Sequence, residues 1–193
     1  MTGSLGSLNL TPELTEALEK ACGAVYELER IHVPAVTPSA ASNSPGKQPT
    51  VVLVNASILG LAMTVDTDDA LRLYKLPFSY AGNASFHVHW TKSTNTDDSG
   101  KTVRWRISYT VFDGKTEEVT GAPATVEYED TYVDSGTTTR YVYCTPDILV
   151  DGEFESAHYV GVKIEAISPS AGTPLTDPVV VSLDLVYDQQ IHL

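Results

Sequence analysis

The stretch TVRWRISYTVF, residues 102–112, decides the fold class because large apolar side chains occupy every second position. Side chains alternate between the two faces of a β-strand, so one face of this stretch is apolar and the other is polar. The apolar face holds Val103, Trp105, Ile107, Tyr109 and Val111. The polar face holds Arg104, Arg106, Ser108 and Thr110. One dry and one wet face is typical of antiparallel sheets packed in a sandwich.

The same alternation recurs in YVGVKIEAI at residues 159–167, and β-rich runs follow one another from Thr50 onward. Turn sequences such as NTDDSGK, FDGK, PDILVDGE and SPSAGTP separate them. About eight such strands predict a mainly β protein, an antiparallel jelly-roll-like β-sandwich. The predicted core contains Val88, Trp90, Val103, Trp105, Ile107, Val162, Ile164, Leu183 and Leu185.

Residues 11–32 have helical periodicity, with Thr11 suited to the N-cap and Pro12 to the first helical position. Their apolar residues are spaced 4, 3, 4 and 3 apart, which is typical of a left-handed coiled coil. An amphipathic helix that lies on its own domain fits the same pattern. We interpret the apolar residues as an oligomerisation seam. The seam consists of Leu14, Leu18, Ala21, Val25 and Leu28.

Residues 33–49, VPAVTPSAASNSPGKQP, contain four prolines and many small side chains. Such a composition disfavours a long helix or a central strand and predicts an extended arm. The chain therefore divides into an N-terminal helix and Pro-rich arm at 1–49 and a β-sandwich domain at 50–193.

Charge and composition exclude several classes of function. The chain carries 25 acidic and 12 basic residues, for a net charge of −13, without a Lys/Arg cluster. Nucleic-acid binders carry a basic patch, so we predict no nucleic acid and no membrane as partners. The sequence has no apolar run of about 20 residues, and its start does not resemble a secretory signal. With only Cys22 and Cys144, it is not a disulfide scaffold, and we expect folding in a reducing cytosol.

The stretch FHVHW, residues 86–90, raises the question of a metal site. Strand alternation places His87 and His89 on one face, but a metal needs a third and usually a fourth ligand. The cupin pattern of Gly, His-x-His and Glu is broken, because Ser93 and Thr94 occupy the place of the glutamate. We therefore predict no metal and no cofactor. A metal-dependent sandwich enzyme that uses His87 and His89 remains an alternative.

Other catalytic motifs do not occur in the sequence. It has neither a nucleophile elbow nor a phosphate-binding glycine loop. The carboxylates cluster in turns, as in DTDD at 66–69 and DGEFE at 151–155, and lack the spacing of an EF-hand. These carboxylates fit solvated loops, and the sequence leaves undecided whether the loops also form a weak Ca²⁺ or glycan site. We predict that the protein is not an enzyme.

Residues 70–190 resemble a set of bacteriophage virion proteins, the head-decoration (cement) proteins and related modules of heads and tail fibres. The strand HVHW, the loop TNTDDSGK and the strand VRWRISYTV carry the resemblance, together with YVGVKIEAI and VVVSLDLVYD near the end. The resemblance implies a capsid-decorating homotrimer whose partner is the major capsid protein or another virion protein. It also implies a virion location after assembly in the bacterial cytoplasm.

A second interpretation is a receptor- or carbohydrate-binding sandwich, such as a fibre module. Exposed aromatic side chains would favour it, and four tyrosines are candidates: Tyr128, Tyr132, Tyr141 and Tyr143. Tyr141 and Tyr143 share a strand face and fit a core position at least as well.

Overall fold

The computed structural model describes residues 48–55, 57–93, 98–113, 122–133, 141–150, 154–155 and 158–189. Within these residues the chain is mainly β, with ten strands in two antiparallel sheets. The strands are β1 (Thr50–Leu53), β2 (Leu59–Ala62), β3 (Asp69–Lys75), β4 (Tyr80–Lys92), β5 (Thr102–Phe112), β6 (Ala124–Thr131), β7 (Tyr143–Cys144), β8 (Ile148–Leu149), β9 (Tyr159–Ile167) and β10 (Pro178–Gln189).

Strand pairing defines two sheets. Sheet A has the order β1-β2-β10-β4-β7, and β8 also pairs with β4. Sheet B has the order β3-β9-β5-β6. The polar loop between β4 and β5 therefore connects strands of different sheets.

The core lies between the inner faces of the two sheets. All nine predicted core residues are buried, so the alternation in the sequence assigned the inner faces correctly. The indole rings of Trp90 in sheet A and Trp105 in sheet B meet edge to face, with centroids 6.4 Å apart. The hydroxyl of Tyr74 in β3 donates a hydrogen bond of 2.5 Å to the carbonyl oxygen of Leu183 in β10, which joins the sheets inside the core. The result is a β-sandwich-like fold.

The outer face of sheet B is polar, as the alternation of β5 predicts. Arg106 Nε donates to Glu127 Oε1 at 2.8 Å, and Arg104 donates to the other oxygen of the same carboxylate. The hydrogen bond from Arg106, with that from Arg104, holds the pKa of Glu127 below its ordinary value. Cross-strand charge pairs of this kind cover the solvent side of β5 and β6.

One prediction about the architecture was wrong, and another concerns mainly residues that the structure does not describe. The sequence placed a turn at PDILVDGE, but Ile148–Leu149 form β8, and Ile148 pairs with Phe86. The helix at 11–32, its seam of Leu14, Leu18, Ala21, Val25 and Leu28, and all of the arm at 33–49 except residues 48 and 49 lie outside the described residues. In the described part of the chain, no helix has the length and apolar character needed to cross a membrane.

Candidate functional site

The two histidines lie at the centre of sheet A. Strand β4 is flanked by β10 on one side and by β7 and β8 on the other. Val88 and Trp90 point into the core, so His87 and His89 lie together on the outer face, as predicted, and both are partly buried. A pair of imidazoles is thereby held on a rigid strand at a spacing set by the pleat.

Cys144 lies directly beside the two imidazoles. It is the last residue of β7 and is the register partner of His89. Its Sγ is 3.6 Å from His89 Nε2 and 3.7 Å from His87 Nδ1, and the residue is exposed. The Sγ also lies 3.3 Å from the carbonyl oxygen of Thr145, a second acceptor for the thiol proton.

Thr145 fixes the position of this thiol. Its backbone N–H donates to the carbonyl oxygen of Val88 at 3.1 Å, and its Oγ1 accepts from the N–H of Val88 at 3.0 Å. The side chain is buried. Because Thr145 binds both the N–H and the carbonyl oxygen of Val88, the chain directly after Cys144 is held against β4 between the two histidines.

Asp147 completes the environment of His87. Its Oδ1 lies 2.5 Å from His87 Nε2, and Ser85 Oγ donates to the same oxygen at 3.1 Å. The hydrogen bonds from His87 and then Ser85 lower the pKa of the Asp147 carboxyl from its ordinary value. Asp147 therefore stays ionised and orients the imidazole of His87.

Asp184 performs the corresponding role for His89. It lies on β10, where it is the register partner of His87, but its Oδ2 reaches diagonally to within 3.1 Å of His89 Nε2. Only 2% of its side chain is exposed. A buried carboxylate next to an imidazole favours an N–H that points toward it.

The hydrogen bonds define the tautomer of His87. When its Nε2–H donates to Asp147, its Nδ1 carries the lone pair and faces the thiol of Cys144. The order carboxylate, imidazole, thiol is the arrangement that generates nucleophilic cysteines. Sequence reasoning found His87 and His89 but missed Cys144, Asp147 and Asp184, and it predicted no active-site-like cluster.

The metal hypothesis for His87 and His89 needed a third ligand. Among the residues that the structure describes, no three His, Cys, Asp or Glu side chains are arranged so that they could hold one metal ion. The groups around Cys144 therefore form hydrogen bonds with one another and do not converge as a ligand set.

The candidate sugar-binding tyrosines are largely internal. Tyr132 is fully buried, and Tyr143 stacks on Trp90 with centroids 5.0 Å apart. Tyr128 is partly buried against the core, whereas Tyr141 is exposed. These four side chains do not form one exposed aromatic surface.

A shallow groove lies instead on the outer face of sheet B. Its volume is about 350 Å³, and it is lined by Leu71, Arg72, Ser108, Thr110, Phe112, Pro123, Gly161, Val162 and Lys163. Gly161 is one of these lining residues, and its register partners are Leu73 on β3 and Thr110 on β5. The groove exists because Gly161 has no side chain to fill the space between these neighbours.

Comparison with known proteins gives no assignment: the sequence matches no known family and none of the curated proteins.

Proposed function

We propose that this protein is a non-enzymatic structural component of a virion, a decoration (cement) protein that binds and stabilises a phage head as a symmetric oligomer. The sequence resemblance to head-decoration proteins supports the class. The observation that carries the assembly role is an apolar surface on β1 and β2, formed by Val51, Leu53 and Leu59 and called here the β1–β2 patch.

The β1–β2 patch continues the core-facing side of sheet A beyond the part that is covered. Leu61 is buried in the core, and its register partner is Val51, so both side chains lie on the inner face of the sheet. Leu53 and Leu59 are partners two positions further on and share that face. Leu53 is nevertheless 64% exposed and Leu59 55%. An apolar surface of this kind marks a protein–protein contact.

The absence of charge on the β1–β2 patch favours a second copy of the chain as its occupant. A capsid subunit would then bind a different surface. The strands β1 (TVVL) and β2 (LGLA) contain no charged residue, although the chain has a net charge of −13. Two copies with this charge repel each other, so they meet best where both surfaces are uncharged. The patch therefore supports contact between copies, and we expect a homotrimer.

The remaining parts of the proposal concern the strand order and the N-terminal segment. The chain passes between sheets at β2–β3, β3–β4, β4–β5, β6–β7, β8–β9 and β9–β10. Repeated crossing of this kind supports a jelly-roll-like relationship. The seam in the helix at 11–32 would add to the copy–copy contact, and the major capsid protein or another virion protein would be the partner of the assembled oligomer.

Replacing Leu53 and Leu59 together with lysine should dissociate the oligomer. Two added charges on the patch of each copy make apolar burial unfavourable without changing a core residue. Light scattering of the full chain should give a trimer for the natural sequence and a smaller species for the double variant. Binding to empty capsids of the source phage should fall in parallel, because a trimer holds a repeated surface through several weak contacts.

Leu149→Lys is the matched control. Leu149 is 70% exposed but lies on β8, away from β1 in the order of sheet A. This variant should remain trimeric. A natural chain that is monomeric and has no affinity for capsids would contradict the proposed function.

A ligand-binding sandwich is the second candidate, and the groove over Gly161 is the observation that favours it. Gly161→Val would fill the groove, since the nearest atoms to an added Cβ, Phe112 Cε1 and Thr110 O, are 3.9 Å away and leave room for it. On a glycan array the natural chain should bind a defined sugar and Gly161→Val should lose that binding. Absence of binding by the natural chain would eliminate this candidate.

A further inference from the structure

We propose that Cys144 is a nucleophilic thiol, activated by His87 and His89, and that it is a site of covalent modification by peroxides. This inference is independent of the virion proposal, since it rests on a different face of the molecule. It is carried by the convergence of two imidazoles on one exposed sulfur, with a carboxylate beside each imidazole.

His87 is the group that removes the thiol proton. Asp147 accepts from its Nε2–H, so the lone pair of Nδ1 points at Sγ from 3.7 Å. Transfer of the proton gives a thiolate next to an imidazolium, and the nearby Asp147 carboxylate stabilises the imidazolium. Asp147 is a positioning residue, because it acts on the sulfur only through His87.

His89 stabilises the thiolate after this transfer. Its Nε2 lies 3.1 Å from Asp184 Oδ2 and 3.6 Å from Cys144 Sγ. The hydrogen on His89 Nε2 is shared between the Asp184 carboxylate and the sulfur. Its hydrogen bond to the sulfur becomes stronger when the sulfur becomes negative. The titratable side chains that the described residues place against Cys144 or its imidazoles are thus His87, His89, Asp147 and Asp184.

The surroundings favour a peroxide over an acyl substrate. Acyl transfer needs N–H donors that stabilise an oxyanion, and the N–H of Thr145, next to the nucleophile, already donates to Val88. A peroxide needs only a thiolate and a proton for its leaving oxygen. Both are supplied by Cys144 and the imidazoles.

The reaction balances without another redox partner. The thiolate of Cys144 attacks one oxygen of hydrogen peroxide, forming an S–O bond as the O–O bond breaks. The leaving oxygen takes the proton held by the His87 imidazolium and departs as water. The sulfur is oxidised to sulfenic acid, the peroxide is reduced, and His87 returns to its neutral form.

The test uses the full chain with Cys22→Ser, so that Cys144 is its single thiol, in the presence of a chelator. Alkylation by iodoacetamide is followed from pH 5 to 9 in native protein and in protein unfolded by urea. Native Cys144 should react about tenfold faster than the unfolded chain at the acidic end of this range. Hydrogen peroxide followed by a sulfenic-acid trap should add one label at Cys144, detected by mass spectrometry.

Variants distinguish a thiol that the imidazoles activate from one that reacts only because it is exposed. His87→Ala and Asp147→Asn should bring the pH profile of alkylation back toward that of the unfolded chain. Asp66→Asn is the matched control: it removes one carboxylate near Ser168, and Asp66 has a φ of 59°, which asparagine also adopts. It should leave the profile unchanged. A native thiol that reacts no faster than the unfolded one at any pH, or a profile unaffected by His87→Ala, would overturn the proposal.

Discussion

Replacing Trp105 with alanine should lower the free energy of unfolding by about 3–5 kcal/mol. The indole is fully buried, and its strand β5 lies inside sheet B, with β9 on one side and β6 on the other. Its register partner on β9 is Ala166, a side chain too small to fill the space that would be left. The edge-to-face contact with Trp90 would also be lost. Urea unfolding of the two proteins measures the difference.

Phe78→Ala provides the control for this result. Phe78 is also a large aromatic residue, but it is 85% exposed, so its removal should change the free energy of unfolding by no more than about 0.5 kcal/mol. A loss below about 1 kcal/mol for Trp105→Ala would mean that the two sheets do not close over this ring.

The inner faces of the sandwich could be predicted because the relevant signal is local. A strand buried on one face repeats every two residues, so TVRWRISYTVF alone separates Trp105 and Ile107 from Arg104 and Arg106. The same rule placed His87 and His89 on the outer face. It gave no warning of β8, because the two residues Ile148–Leu149 are too short to show any period.

The cluster around Cys144 could not be predicted in this way. Cys144 lies 57 residues after His87 in the sequence, and Asp147 lies 60 residues after His87. These residues meet because β7 pairs with one edge of β4, and Asp184 approaches because β10 pairs with the other edge. Strand order and register depend on the packing of the whole sandwich, and the period of a single strand carries no information about them.

The thiol cluster and the β1–β2 patch lie at different places in sheet A. Cys144 and Asp147 lie on the side of β4 that faces β7 and β8, whereas β1 and β2 follow β10 on the other side. A charge added to the patch should therefore leave the reactivity of Cys144 unchanged. The two proposals can fail separately, since one is read from the mass of the oligomer and the other from the chemistry of one sulfur.

Replacing Gly60 with valine should destabilise the protein by about 3 kcal/mol, at the upper end of the range for overpacked cores. A Cβ on Gly60 would overlap Val179 Cγ1 and would lie 3.0 Å from the carbonyl oxygen of Val180. Val179 is fully buried and β-branched, so its side chain has few other rotamers to adopt. The new side chain would therefore have to push β2 away from β10.

Moving β2 away from β10 would also disturb the β1–β2 patch, because β1 is attached to sheet A through β2. Two register pairs join β2 to β10, Val179 with Ala62 and Val180 with Leu61, and they lie two residues and one residue after Gly60 along the chain. Losing them would free β1 and β2 together, so the Gly60→Val variant should be both less stable and less oligomeric. Urea unfolding gives the first quantity and light scattering the second.

Gly161→Val makes the same chemical change at a strand glycine that has room for it. The nearest atoms to its added Cβ are at 3.9 Å, an ordinary contact distance, and valine is favoured over glycine in strands. Its free energy of unfolding should stay within about 0.5 kcal/mol of the natural chain or rise. Equal stabilities for the two variants would show that β2 does not pack against Val179. A loss confined to Gly60→Val would locate the weak point of sheet A at the strand that carries the proposed assembly surface.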